Sequence, residues 1–302
     1  MCGAPADPEA RFCEVCGSPI RGAIVDATAQ VDVSSFRREL NIARELAAVS
    51  DRGLVHSRNE DAVIVISNPP FAALVVCDGV SMSHDPAHGA AAAAEATAQH
   101  LVNGAMTGSD PKELMRAAIL AGHEATCGLV PAGTQSDQRP LTTVVAALAG
   151  SGTATIGWVG DSRAYLLSGA GRLLTRDDSW VNWVIERGEL TEDEALRSPH
   201  AHAIIQCLGD PNETPVPHVL TAILSPGERL LLCSDGLWNY APAPSALTAL
   251  TAEFPPATPA LTICRDLVKF ANDSGGRDNI TAAMFVADDR RAAEGRNAAP
   301  TR

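Results

Sequence analysis

The chain has 302 residues, 46% of them hydrophobic and 20% charged, which is enough apolar material for a large buried core and excludes a globally disordered polymer. Its 23 Lys and Arg stand against 36 Asp and Glu, so the formal charge of −13 repels nucleic-acid phosphates and anionic membrane surfaces as main partners. Such acidity suits a phosphoester site only if cations stand between the carboxylates and the phosphate.

The start, Met1-Cys2-Gly3-Ala4-Pro5, lacks the basic and apolar parts of a signal peptide. No run reaches the roughly 18 apolar residues of a spanning helix, so a cytoplasmic location with no membrane attachment is expected. Of the eight cysteines, Cys77, Cys127, Cys207, Cys233 and Cys264 are scattered and read as buried, reduced thiols. The others crowd into residues 1–20, where Cys13-Glu14-Val15-Cys16-Gly17 has zinc-knuckle spacing and Cys2-Gly3 resembles the end of a second knuckle. Cys2, Cys13 and Cys16 are therefore candidate Zn²⁺ ligands of a partial zinc-ribbon-like segment. Its fourth ligand falls ahead of Met1 or is another group, or the segment is a tail that binds nothing.

Residues 21–44 read as a linker or a first edge strand, 45–288 as the folded domain and 289–302 as a disordered tail. Strands are predicted at Ala62–Ile66, Ala72–Cys77, Thr143–Ala149, Thr153–Val159, Ala164–Leu167, Arg229–Cys233 and Ala282–Val286. Between them His88–Asn103 and Pro111–Leu129 are Ala-rich with apolar residues at helical spacing. Strands, then a helix pair, then more strands indicate an α+β fold with helices packed outside sheets. There is no internal repeat, Walker loop, G-x-S-x-G or H-E-x-x-H.

Acidic clusters recur where apolar strand-like runs begin or end: Asn59-Glu60-Asp61, Cys77-Asp78-Gly79, Ser234-Asp235-Gly236 and Arg277-Asp278-Asn279. A carboxylate just past a buried strand sits at a sheet rim, and a following Gly lets the backbone approach a ligand. Several converging from distant parts of the chain would form an oxygen-rich site suited to Mg²⁺ or Mn²⁺. Taken singly, each Asp-Gly reads as a turn sooner than as a ligand.

Together the clusters resemble the ordered motifs of the protein phosphatase 2C type, the PPM family of metal-dependent Ser/Thr phosphatases, in its bacterial form. The matching segments are Asp51–Ala62, Val75–Val80, Gly160–Ala164, Leu232–Trp238 and Gly276–Thr281. The resemblance implies a four-layer αββα sandwich of two antiparallel sheets, with a dinuclear Mn²⁺ or Mg²⁺ centre in a cleft at one end. It implies that Asp78 bridges two ions, that Asp235 and Asp278 complete one, and that the Gly79 carbonyl and Glu60 serve the other. Asp161 and Asn279 would be supports, and Asp137 a candidate ligand of a third ion. Residues 168–217, with Asp177-Asp178-Ser179-Trp180, match the family's flap beside the cleft. The implied reaction is hydrolysis of phosphoserine and phosphothreonine by a water placed between the cations, with no covalent enzyme intermediate.

The family's pattern is broken at three points. Val80-Ser81-Met82-Ser83-His84-Asp85 replaces a Gly-Gly pair, Leu141 replaces a Gly, and His56 stands where relatives place the arginine that grips the phosphate, leaving His56 or the nearby Arg58 for that role. The expected partners are phosphorylated proteins, Ser/Thr kinases and their substrates, met by a monomer. Rival readings are a pseudophosphatase that binds without turnover and an adaptor built on the cysteine segment.

Overall fold

The computed structural model describes residues 36–287 apart from 132, 136 and 137. Cys2, Cys13, Cys16, Asp137 and the 289–302 tail lie outside the described residues.

Two antiparallel sheets form the centre. The first contains, in chain order, β1 (Arg37–Ala43), β2 (Leu46–Asp51), β7 (Arg163–Leu167), β8 (Arg172–Leu173), β10 (Arg229–Cys233) and β11 (Ile280–Val286), arranged β1-β2-β11-β10-β7-β8. The second runs β3 (Asp61–Asn68), β4 (Phe71–Asp78), β5 (Val144–Gly150), β6 (Thr153–Val159), β9 (His218–Ile223). The inner strands β4, β5, β10 and β11 read as unbroken apolar runs because both faces of their sheets are covered there. Within β4, Ala72, Leu74 and Val76 join the core between the sheets, while Ala73, Val75 and Cys77 face the helices α1 (Pro86–Met106) and α2 (Pro111–Cys127). On the other sheet Leu230 and Leu232 point inward. Leu231 and Cys233 point out toward α5 (Asp235–Trp238), α6 (Pro244–Ala252) and α7 (Ala260–Asp273). The result is the αββα order, with two short helices, α3 (Trp180–Glu186) and α4 (Glu192–Leu196), in the flap.

Several readings need correction. Of the two alternatives for 21–44, the described part is an edge strand: β1 pairs with β2, so a domain boundary at 45 cuts through a sheet. The two expected Ala-rich helices form as α1 and α2, whereas α7 lies outside the predicted elements, although Ala260, Ile263, Cys264, Leu267, Val268 and Ala271 make one buried stripe at helical spacing. The five scattered cysteines are free thiols; Cys77, Cys233 and Cys264 are buried, whereas Cys127 and Cys207 are only half-buried.

Candidate active site

β3 and β4 are joined through Pro69-Pro70, and their register sets Asp61 directly opposite Asp78 at the end of the hairpin. β10 runs through Ser234 into Asp235, and Asp278-Asn279 precedes β11, which pairs with β10. The acidic motifs thus meet at one end of the two sheets.

The backbone there is fixed by short polar residues. The Asp78 carbonyl accepts from the Thr143 N–H at 2.8 Å and the Thr142 hydroxyl at 2.9 Å, and its N–H donates to Thr143 Oγ1 at 3.2 Å. Asn279 is the knot of the site. Its Oδ1 accepts from the Glu60 N–H at 2.7 Å, and its Nδ2 donates to the carbonyls of Arg52 and Arg58 at 2.8 and 2.9 Å. The 52–60 loop is therefore stapled to the start of β11. Gly53 permits the approach: its φ is +75°, and a Cβ there would lie 2.2 Å from the Asp278 carbonyl oxygen. Gly79 is packed as tightly, with a Cβ 2.7 Å from the Pro86 carbonyl and 2.8 Å from that of Glu60.

The carboxylates interact strongly. Asp61 Oδ2 accepts from Thr281 Oγ1 at 2.6 Å and Ser234 Oγ at 2.7 Å, at the end of a relay in which Asn59 Nδ2 donates to Ser50 Oγ and Ser50 meets Thr281. Asp61 Oδ1 is buried with no hydrogen-bond partner. Burial pushes the Asp61 carboxyl up to about 7; the Thr281 and Ser234 hydroxyls pull it down, and the charge of Asp278 adds to the rise. Asp78 is held well above the usual carboxylate range by burial and then by Asp61, Asp235, Asp161 and Asp278. Burial, Asp161, Asp278 and Asp61 do the same to Asp235. Asp161 is raised to about 6 by burial and by Asp177.

The leading charges on Asp61, Asp78 and Asp235 are thus other carboxylates. Hard oxygen donors that destabilise one another as anions, one with an oxygen left unpaired in the interior, fit divalent cations. Among the described residues no three His, Cys, Asp or Glu side chains stand together at ion-holding spacing.

The sequence-predicted residues fall as follows. Asp78, Asp235 and Asp278 share the site. Glu60 is beside it, its Oε2 accepting from Ser81 Oγ at 2.8 Å, so the altered loop after Gly79 reaches the site through a serine. That loop is held in place: the Val80 N–H donates to the Leu141 carbonyl, and the Leu141 N–H to Ser83 Oγ. His56 Nε2 lies 3.3 Å from Asp278 Oδ1 rather than standing free. Arg58 is exposed, its carbonyl held by Asn279. Asp161 is present among the interacting carboxylates, and its carbonyl accepts from Trp238 Nε1 at 3.0 Å. Asp61, with Ser234 and Thr281, is the feature that sequence reasoning passed over in favour of Glu60. Counting outward from Pro69-Pro70 as a two-residue hairpin turn would have set it opposite Asp78.

Beside the site, Asp177 and Asp178 root the flap. Asp177 receives Arg163 through Nε at 2.9 Å and through a second guanidinium nitrogen at 2.6 Å, and the guanidinium lies over Trp238, 3.6 Å from the ring centroid. Asp178 accepts from the Gly160 N–H, Gln206 Nε2 and His218 Nε2.

The protein phosphatase 2C family model matches residues 55–282, which take in Glu60, Asp61, Asp78, Asp161, Asp235 and Asp278. The chain belongs to the protein phosphatase 2C family. Among curated relatives, protein phosphatase PhpP of Streptococcus pneumoniae is 40% identical over 127 residues, 42% of this chain and 50% of that protein. Serine/threonine protein phosphatase PstP of Mycobacterium tuberculosis is 31% identical over 243 residues, 80% of this chain and 44% of its own length. The chain therefore spans about half the length of the curated relatives it matches first. A solved structure of the PstP catalytic domain in complex with two manganese ions superposes with a TM-score of 0.59 at 27% identity, covering 83% of this chain and 99% of that one.

Proposed function

We propose that the chain is a metal-dependent phosphoprotein phosphatase that hydrolyses phosphoserine and phosphothreonine with two Mn²⁺ or Mg²⁺ ions. The observation that carries this reading is the convergence of Asp61, Asp78, Asp235 and Asp278 from distant parts of the chain at one end of the sandwich, where burial raises Asp61, Asp78 and Asp235 and neighbouring carboxylates add to the rise. The manganese-bound PstP domain supports the choice of ions.

Asp78, Asp235 and Asp278 would hold the ions, with Glu60 and the Gly79 carbonyl on the side of the hairpin. When bound, the ions supply Lewis acidity toward the phosphoryl oxygens and lower the pKa of the attacking water. The chain's own part is to hold these donors still. Thr142 and Thr143 fix the Asp78 backbone, and Asn279 ties Glu60 to the start of β11. Asp61 lies behind Asp78, where its hydroxyl relay keeps one oxygen occupied and leaves the other for the site. With His56 drawn to Asp278, Arg58 is the guanidinium that would grip the phosphate, as a fork that stays charged at working pH.

Among the described residues no helix is long and apolar enough to cross a membrane. A cytoplasmic monomer acting on phosphorylated proteins, among them Ser/Thr kinases and their substrates, agrees with the net charge of −13. Asp137 as a ligand of a third ion and Zn²⁺ at Cys2, Cys13 and Cys16 remain proposals for segments outside the described residues.

Hydrolysis of para-nitrophenyl phosphate by metal-stripped protein, with and without added Mn²⁺, tests the reading. Turnover that appears with Mn²⁺ and vanishes with EDTA is expected. Full turnover without metal would refute the mechanism, and metal binding with no turnover on any phosphopeptide would favour the pseudophosphatase.

A further inference from the structure

The geometry points to His56 as a nitrogen donor to the cation held at Asp278, and so as the residue that biases this centre toward Mn²⁺ over Mg²⁺. The inference rests on the metal-dependent reading above and deepens it.

His56 is held in place from both sides. The Leu54 N–H donates to the Gly276 carbonyl at 2.7 Å, the Arg52 and Arg58 carbonyls accept from Asn279 Nδ2, and Gly53 packs on the Asp278 carbonyl. The loop that carries the imidazole is thus fastened to the segment that carries Asp278. His56 Nε2 lies 3.3 Å from Asp278 Oδ1, just beyond the usual N–H···O range of about 2.7–3.2 Å. Two donors that occupy neighbouring corners of one octahedral ion, each about 2.1 Å from it, stand about 3.0 Å apart. The observed separation is close to that edge.

Asp278 Oδ1 accepts from the Asn279 N–H at 2.8 Å and retains a second lone pair. The two side chains are 33% and 42% exposed, so an ion can reach both from solvent. The resemblance calls for arginine at this position, and a guanidinium has no lone pair to offer a metal. Neutral imidazole does. Mg²⁺ strongly prefers all-oxygen shells, whereas first-row transition ions accept imidazole nitrogen readily. Exchanging the arginine for His56 therefore adds a donor that only one of the two candidate ions can use well.

Pulsed electron paramagnetic resonance of Mn²⁺ bound to the metal-stripped protein reads the bond itself, through nitrogen coupling from a ligated imidazole. Calorimetric titrations with Mn²⁺ and with Mg²⁺ read its consequence. The wild type should show the nitrogen coupling. His56→Ala and His56→Gln should both lose it, with Mn²⁺ affinity falling about tenfold and Mg²⁺ affinity unchanged. Both variants alter a partly exposed loop residue, and an unchanged melting temperature verifies their folding. Nitrogen coupling absent from the wild type, or persisting in His56→Ala, would overturn the inference while leaving the metal-dependent reading intact. Failure of the wild type to bind either ion would instead overturn that reading.

Discussion

Two groups of acidic residues lie at the same end of the sandwich and are treated in opposite ways. At the root of the flap, Asp177 is paired through two nitrogens with Arg163, and Asp178 is satisfied by Gly160, Gln206 and His218. At the ends of β3, β4 and β10, Asp61, Asp78 and Asp235 are pushed upward by burial first and then by neighbouring carboxylates, Asp278 and Asp161 among them, while the Thr281 and Ser234 hydroxyls draw Asp61 back. The flap-root aspartates have their counterparts within the chain; the raised aspartates can be relieved by protons or, in the proposed mechanism, by cations, so the two groups should answer differently to mutation, pH and metal.

The largest difference should come from Asp78→Asn, which is expected to lower kcat by several orders of magnitude while leaving the metal-free fold as stable as the wild type or more so, because it removes a repelling charge. Retention of more than about a tenth of the rate, a loss below roughly 1.4 kcal/mol, would remove Asp78 from the mechanism. Asp177→Ala should show the reverse emphasis. It strands Arg163 in a site where the paired side chains are only 14% and 9% exposed, and a cost of about 3 kcal/mol in denaturant unfolding is expected. A cost near zero would mean that the flap root is not held by this pair.

Arg58→Ala should raise KM for a phosphopeptide about tenfold, the loss of one charge-assisted contact, with a smaller change in kcat. An unchanged KM would return the phosphate to another residue.

The smallest effect concerns pH and metal-free stability. Asp61 stands near 7 in the folded chain against about 3.9 for an unfolded aspartate, so the folded form binds the proton more tightly. Its contribution to stability is complete below about pH 4 and is lost as pH rises toward about 7. Metal-stripped protein should therefore melt at a lower temperature at pH 8 than at pH 5, and the difference should shrink when Mn²⁺ is added.

The clustered aspartates were legible in the sequence because each lies at or within two residues of the end of a buried strand: Val75-Val76-Cys77 runs into Asp78, Leu230-Leu231-Leu232 leads toward Asp235, and Asp278 lies just before β11. Most core strands were legible because apolar runs covered on both faces carry no competing pattern, but the equally buried β2, Leu46-Ala47-Ala48-Val49-Ser50-Asp51, was not among the predicted strands. β9 was not legible, because His218, Val219 and Leu220 are all half-buried with no alternation, and Ile223 is 76% exposed. Asp61 was passed over because its role depends on the strand opposite, which a one-dimensional pattern does not display. His56 was recognised as a departure from the family, but its attachment to Asp278 depends on Asn279 folding back across more than two hundred residues to hold the loop.

The central claim is that the cleft carboxylates await an external cation and that this cation drives hydrolysis. Its most direct test is to titrate Mn²⁺ into metal-stripped protein and follow the melting temperature at pH 8 and the turnover of one phosphopeptide in the same series. Both should rise from a low baseline with a common midpoint in Mn²⁺ and stay at baseline in Asp78→Asn. Turnover already complete before Mn²⁺ is added, or rising while the melting temperature stays flat, would contradict the account.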